Sequence, residues 1–117
     1  MYLERLNSIS NRIPGAMALS LVGRDGMPVE SVSSDPSIDL ETLAAELLLQ
    51  VCSISDDHRE LAVGDLDQFS LITDRVTLLV SAVTQDYFLL LVLGDEGNYG
   101  QARFELRRAR LLLEDDL

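Results

Sequence analysis

The chain has 117 residues, 47% of them apolar and 25% charged, which is material for one folded domain over residues 1–117 and too apolar for a disordered chain. Nine basic residues stand against twenty acidic ones, for a formal net charge of -11, and all nine are arginine. Such a surface repels nucleic-acid phosphates and anionic membranes, and the absence of lysine excludes a P-loop and Schiff-base chemistry.

Tyr2, Leu6, Ile9 and Ile13 recur at helical spacing and predict a short amphipathic helix that stops before Ile13-Pro14-Gly15. Ala16 to Val22 is an apolar strand, Gly23-Arg24-Asp25-Gly26 a hairpin turn, and Met27 to Ser33 the returning strand, with Val29 and Val32 its apolar positions. Pro28 lacks an N–H for a ladder and places that strand at a sheet edge. After a loop at 33–37, Ser37 or Asp39 caps a helix that runs from about Asp39 to about Leu61. Its apolar positions are Leu40, Leu43, Ala44, Leu47, Leu48, Val51 and Cys52, joined by Ala45, Leu49 and Ile54. One sheet needs only one apolar stripe, so this wider arc predicts a second contact surface, another subunit being one candidate.

From about Leu66 the pattern is strand after strand. Asp67 to Thr73 alternates, Thr73-Asp74-Arg75 turns the chain, Val76 to Thr84 is a β-branched run, and Gln85-Asp86 turns it again. Tyr87 to Leu93 is apolar at every position, the mark of a central strand covered on both faces. The last helix opens at Asn98, with Ala102, Leu106, Ala109 and Leu113 as its buried stripe and Arg103, Arg107 and Arg110 on a neighbouring face. Helix, two strands, long helix, three strands, helix is the order of an α/β (α+β) domain, one antiparallel sheet with helices on both sides. The six aromatics leave the core to aliphatic side chains. Cys52 is alone, the start Met1 to Leu6 lacks the apolar stretch of a secretory leader, and Phe88 to Leu93 is too short to cross a bilayer. The expectation is a cytoplasmic protein without membrane insertion.

The segment Ile13 to Val29, in which an apolar strand meets Asp25-Gly26 and the pair Met27-Pro28 precedes Val29, is similar to the first hairpin of the roadblock/dynein light chain family. Leu89 to Gly94 followed by Asn98-Tyr99-Gly100-Gln101-Ala102-Arg103 resembles that family's last strand and the start of its last helix. The resemblance spans nearly the whole chain. It implies a five-stranded antiparallel sheet with the long helix on one face and the N- and C-terminal helices on the other. It also implies a homodimer in which the middle helix and third strand meet their copies, through Ala45, Leu48, Leu49, Cys52, Phe69, Leu71 and Thr73. A heterodimer with a related chain fits the same pattern. Independently of the family, an unprotected third strand carrying Phe69, Leu71 and Ile72 invites pairing.

Several constellations invite chemistry. Gly94-Asp95-Glu96-Gly97-Asn98-Tyr99-Gly100 lies between a strand and a helix, but its glycine spacing fits no phosphate fingerprint and its carboxylates repel phosphate. His58 stands among charged residues without a second histidine, and Cys52 falls within the apolar pattern. Asp25 is accounted for by its turn. Arg103, Arg107 and Arg110 read as a solvated stripe balanced by Glu105 and Glu114. The alternative is an arginine offered in trans to a phosphoryl-transfer site, and Arg75, in a turn, is better placed to reach one. The outward strip of the middle helix, Glu46, Gln50, Ser53 and Asp57, is acidic to neutral and reads equally as solvent-facing or as a platform for a basic partner.

No nucleophile–base pair, metal set or cofactor motif emerges, so the expectation is a non-enzymatic protein without a cofactor. In function the resemblance implies a regulator or adaptor of a small Ras-like GTPase, which bacterial members of the family bind or activate. The other reading is a dynein-light-chain-like scaffold subunit with no GTPase partner.

Overall fold

A computed structural model describes residues 2–60 and 62–117, excluding the side chains of Ser55, Asp57, His58, Arg59 and Glu60. The elements follow the predicted order: α1 (Tyr2–Asn11), β1 (Ala16–Gly23), β2 (Pro28–Ser33), α2 (Leu40–Glu60), β3 (Gln68–Ile72), β4 (Val76–Ala82), β5 (Tyr87–Gly94) and α3 (Tyr99–Leu113). A 3-10 turn over Glu114–Asp116 follows. The five strands form one antiparallel sheet in the order β2-β1-β5-β4-β3.

The uninterrupted apolar run of β5 sits at the centre of that order, as its composition requires. Leu89, Leu91 and Leu93 point into one core with Leu6, Ile9 and Ile13 from α1 and with Ala102, Leu106, Ala109 and Leu113 from α3. Phe88, Leu90 and Val92 point into a second core on the opposite face, closed by Ala44, Leu47, Leu48, Val51 and Cys52 of α2. The long helix therefore covers one face and the two terminal helices the other.

Local chemistry sets the element ends. Asp39 caps α2, its Oδ1 accepting from the Thr42 N–H at 3.2 Å, and Asn98 caps α3 through the Gln101 N–H at 2.9 Å. Ser37, the other candidate cap, instead closes a turn on Asp35, donating to Oδ1 from both its N–H and its hydroxyl. β2 begins at Pro28, one residue later than its pattern predicts, and lies at an edge. Val22 pairs with Pro28 while Leu21 pairs with Glu30, so Val29 bulges out and is exposed, not part of a buried face. β3 ends at Ile72 and β4 at Ala82, because the residues beyond them form turns: Thr73 Oγ1 donates to the Val76 carbonyl at 2.8 Å, and Val83 and Thr84 donate backbone bonds to Tyr87.

The connection before β1 packs directly on the connection after β5. Gly15 has φ +86°, and a Cβ there would lie 2.6 Å from Gly97 Cα. Gly64 also has a left-handed φ, +102°, but stands in open space. Gly64→Ala is expected to cost about 1 kcal/mol from backbone strain alone. Gly15→Ala adds a backbone collision and is expected to cost on the order of 3 kcal/mol. Urea midpoints of the two variants check the difference; equal losses would contradict the packing of the two connections.

Candidate protein-interaction site

α2 shows its polar side to solvent through Glu46, Gln50 and Ser53, all exposed. The side chain of Asp57, the fourth member of that strip, lies outside the described residues, as does that of His58. Leu49 stands within the strip at 67% exposure, so the surface is not purely polar: it carries one large apolar side chain that no core residue covers.

The remaining residues of the predicted interface separate into four groups. Leu48 (0% exposed) and Cys52 face this chain's own sheet as part of the α2-side core, so their place in any contact between copies falls to Leu49. Ala45 lies under the β1–β2 turn, its Cα 2.9 Å from where a Gly26 Cβ would sit. The wide apolar arc of α2 thus has an intramolecular cause in part: the hairpin turn takes the flank that Ala45 occupies. Phe69 is partly buried against the α2-side core, while Leu71, on the same face of β3, remains 44% exposed. Thr73 lies past the strand end and is engaged in the β3–β4 turn, accepting from the N–H groups of Arg75 and Val76.

β3 pairs with β4 on one side only, so its other edge presents unpaired backbone groups beside Leu71 and Ile72, the latter 68% exposed. Next to this edge, on the α2 side of the sheet, lies a groove of about 380 Å³ with Met17, Ile38, Leu43, Val76, Leu78 and Val92 among its lining residues and with Asp35, Ser37, Thr73 and Arg75 at its polar rim. Its residues come from five separate segments, so no spacing in the sequence announces it.

The arginine stripe of α3 is engaged from the start of β3. Arg103 Nε donates to Gln68 Oε1 at 3.1 Å and its guanidinium lies 5.6 Å from the Tyr99 ring centroid. Arg107 and Arg110 both reach the Asp67 carboxylate, at 3.2 and 3.0 Å. The expected balance by Glu105 and Glu114 is corrected accordingly. Glu114 lies 3.8 Å from Arg110, whereas Glu105 turns into the protein and meets Arg108, a residue outside the stripe. At the far end of the sheet Arg24 joins three segments: its N–H donates to the Asp86 carbonyl at 2.8 Å, and its guanidinium meets Asp56 at 2.8 Å. Cys52 Sγ points at the Arg24 carbonyl. Burial pushes the Cys52 thiol up, with Arg24 opposing the shift and Asp56 adding to it, the opposite of an activated nucleophile. Gly94, Gly97 and Gly100 form a packed turn and a helix entry: Gly97 N–H donates to the Gly94 carbonyl, and Gly97 lies against Leu93 and Gly15.

No protein-family model and no curated protein matches the chain in sequence. Its architecture has clear counterparts among solved structures. A Roadblock/LC7 domain from Streptomyces avermitilis superposes with a TM-score of 0.86 at 17% identity, over 97% of this chain and 95% of that one. The chain has the roadblock/LC7 fold. This bears out the resemblance carried by the first hairpin and the closing segment. The gliding protein MglB of Thermus thermophilus gives 0.86 at 19% identity, over 96% and 84% of the two chains. MglC of Myxococcus xanthus gives 0.68 at 28% identity, over 97% of each. Among the described residues no helix is long and apolar enough to cross a membrane.

The entry to α2, which borders the groove, is held by two carboxylates. Hydrogen bonds from Thr42 hold Asp39 below the ordinary value of 3.8, and those from Ser37 do the same for Asp35. Folding lowers both values, so the stability they contribute is present above pH 3.8 and is lost as pH falls through the folded-state values. The doubly substituted Asp35→Asn/Asp39→Asn chain keeps side-chain acceptors that do not titrate. It is expected to lose less stability than the parent between about pH 5 and about pH 3, measured by urea unfolding followed through helical circular dichroism. Parallel loss in both chains would show that these two groups do not respond to acid as described.

Proposed function

We propose that the chain is a non-enzymatic homodimeric regulator or adaptor that binds a small Ras-like GTPase and stimulates its GTP hydrolysis. The observation that carries this reading is the open edge of β3, accompanied by exposed Leu71 on that strand and exposed Leu49 on α2. An unpaired strand with uncovered apolar side chains is the ordinary starting material for pairing with a second copy. Pairing of β3 with its copy extends the sheet across two subunits and brings two α2 helices together. Glu46, Gln50, Ser53 and Asp57 then form a joint acidic-to-neutral platform for a basic surface on the GTPase. The likeness to MglB, one structure of which has a tetrameric arrangement, supports both self-association and a regulatory role in this proposal.

A scaffold without a GTPase is the second reading, and the arginines favour it. Arg103 and Arg110 are tied to Gln68, Asp67 and Glu114, and Arg107, though paired only at the surface, stands on a helix, so Arg75 in the exposed β3–β4 turn is the better-placed position for an arginine acting in trans on GTP. Activation is therefore expected to act by positioning the GTPase's own groups.

Light scattering on a sizing column is expected to give the mass of two chains for the parent and of one chain for Leu49→Glu/Leu71→Glu. With the small Ras-like GTPase of the same genome, a complex is expected in the presence of a non-hydrolysable GTP analogue and not of GDP. Hydrolysis in that complex is expected to rise by roughly a hundred-fold or less and to survive Arg103→Ala and Arg107→Ala. A monomeric parent would refute the dimer, and nucleotide-independent binding would transfer the protein to the scaffold reading.

A further inference from the structure

Phe104 and Leu111 stand on the outward stripe of α3, seven residues and therefore about two turns apart, at 61% and 68% exposure. The helix does not need them for its own packing, since its buried side is complete with Ala102, Leu106, Ala109 and Leu113. Half-exposed Leu112 extends the apolar surface toward α1, whose Arg5 donates to the Leu112 carbonyl. At 100° per residue, Arg107 and Arg108 fall between Phe104 and Leu111, one on each side of the stripe. Their side chains are 61% and 53% exposed; Arg107 pairs at the surface with Asp67 at 3.2 Å, and Arg108 reaches out from the buried Glu105 at 3.8 Å. The exposed Arg107–Asp67 pair contributes little and exchanges readily for a better-placed carboxylate, and the outer N–H groups of Arg108 stay open to a second one.

We propose that this face of α3 binds an acidic amphipathic helix of another protein. The partner's apolar side chains seat against Phe104 and Leu111, and its carboxylates flank them against Arg107 and Arg108. Charge complementarity selects this occupant. α3 carries four arginines against one glutamate in a chain of net charge -11, so an acidic segment is drawn to this helix and repelled from the rest of the surface, which also fixes its register. A second copy meeting the first α3 to α3 sets arginines against arginines. An anionic membrane presents a sheet of phosphates that meets Glu114, Asp115 and Asp116 together with the stripe, whereas a single helix crossing α3 at Phe104 and Leu111 need not reach them. The surface lies across the sheet from α2, so it remains free when α2 is engaged, and the inference stands apart from the GTPase reading.

Selection of the full chain against displayed peptides of about 18 residues, five turns of helix, tests the chemistry directly. The expected winners carry apolar residues at helical spacing flanked by Asp and Glu, and their binding weakens steeply with salt. Phe104→Ala/Leu111→Ala is expected to weaken them by about tenfold or more, and Arg107→Gln/Arg108→Gln, which leaves the apolar surface intact, by a similar factor. Phe104→Ala/Leu111→Ala removes only exposed side chains and is expected to keep the parent's melting temperature, as is Arg107→Gln alone; Arg108→Gln also takes the cation from the buried Glu105, so the single Arg107 variant separates lost binding from lost stability. Basic or featureless winners, no enrichment, or binding that survives both double substitutions would overturn the proposal. So would tighter binding of the parent chain to phosphatidylserine vesicles than to any selected peptide.

Discussion

The constraint on which the rest of the structure depends is that β5 has no polar face. Seven consecutive apolar residues, Tyr87 to Leu93, alternate between two sides of the sheet, and each side must be removed from water. A meander with one solvated face is therefore closed to this sequence. The strand must be internal, with neighbours on both edges, and both sheet faces must carry helices. α2, the longest helix, closes one side alone, while α1 and α3 share the other, which is why the chain's two ends meet: Tyr2 donates to the Asp116 carbonyl at 2.8 Å, and Arg5 pairs with Asp116. The contact of Gly15 with Gly97 has the same origin, because both terminal helices must enter the same layer from opposite edges of the sheet's centre.

Much of this was legible in the residues. The order of elements, the central place of β5, the edge position of β2 through Pro28, the Asn98 cap and the buried stripe of α3 all follow from local patterns, since periodicity and capping are written within a few residues of one another. What escaped depends on distant segments. The sequence pattern shows that α2 has more apolar residues than one sheet needs, but not that the β1–β2 turn takes up Ala45 or that Leu48 and Cys52 go inward while Leu49 goes out. Two positions that differ by one step along a helix differ by 100°, and only the tertiary placement of the helix axis decides which side of the stripe is covered. The partners of the arginines were hidden for the same reason. Asp67 lies 43 residues before Arg110 and Gln68 lies 35 before Arg103, whereas the acidic residues near in sequence are Glu105 and the run Glu114 to Asp116. Phe104 and Leu111 did carry a signal, because both fall outside the step pattern of Ala102, Leu106, Ala109 and Leu113, and a large apolar residue off the buried stripe marks a surface worth inspection.

The polar chemistry of this domain is spent largely on holding its elements together. Its one thiol is buried and pushed away from ionisation, and its carboxylates with altered acidity cap a helix and close a turn. Its glycine-rich turn packs against Gly15 and Leu93. Hydrogen bonds and ion pairs here join elements to one another: Arg24 ties the hairpin turn to the β4–β5 turn and α2, and Asp67 ties α3 to β3. Arg24, Asp67 and Arg110 are committed to structure in this way, and that leaves side chains with lighter duties as the places to propose function.

Those uncommitted side chains are apolar ones that the two cores do not use. Besides Leu3, Met27, Val29, Val63 and Ile72, which are exposed elsewhere, Leu49 and Leu71 flank the α2 strip and the β3 edge, whereas Phe104, Leu111 and Leu112 line the outer side of α3. Scattered exposed leucines are ordinary, but these fall into two groups with opposite electrostatic surroundings, acidic-to-neutral around α2 and arginine-rich around α3. A single partner has no use for both. On the function proposed above, two surfaces of unlike charge on opposite sides of a thin three-layer domain suit an adaptor, because each recruits a different kind of surface and neither obstructs the other. The same β5 that forces helices onto both faces of the sheet thereby supplies the separation: a domain with one solvated sheet face would have had one helical surface to offer, and this one has two.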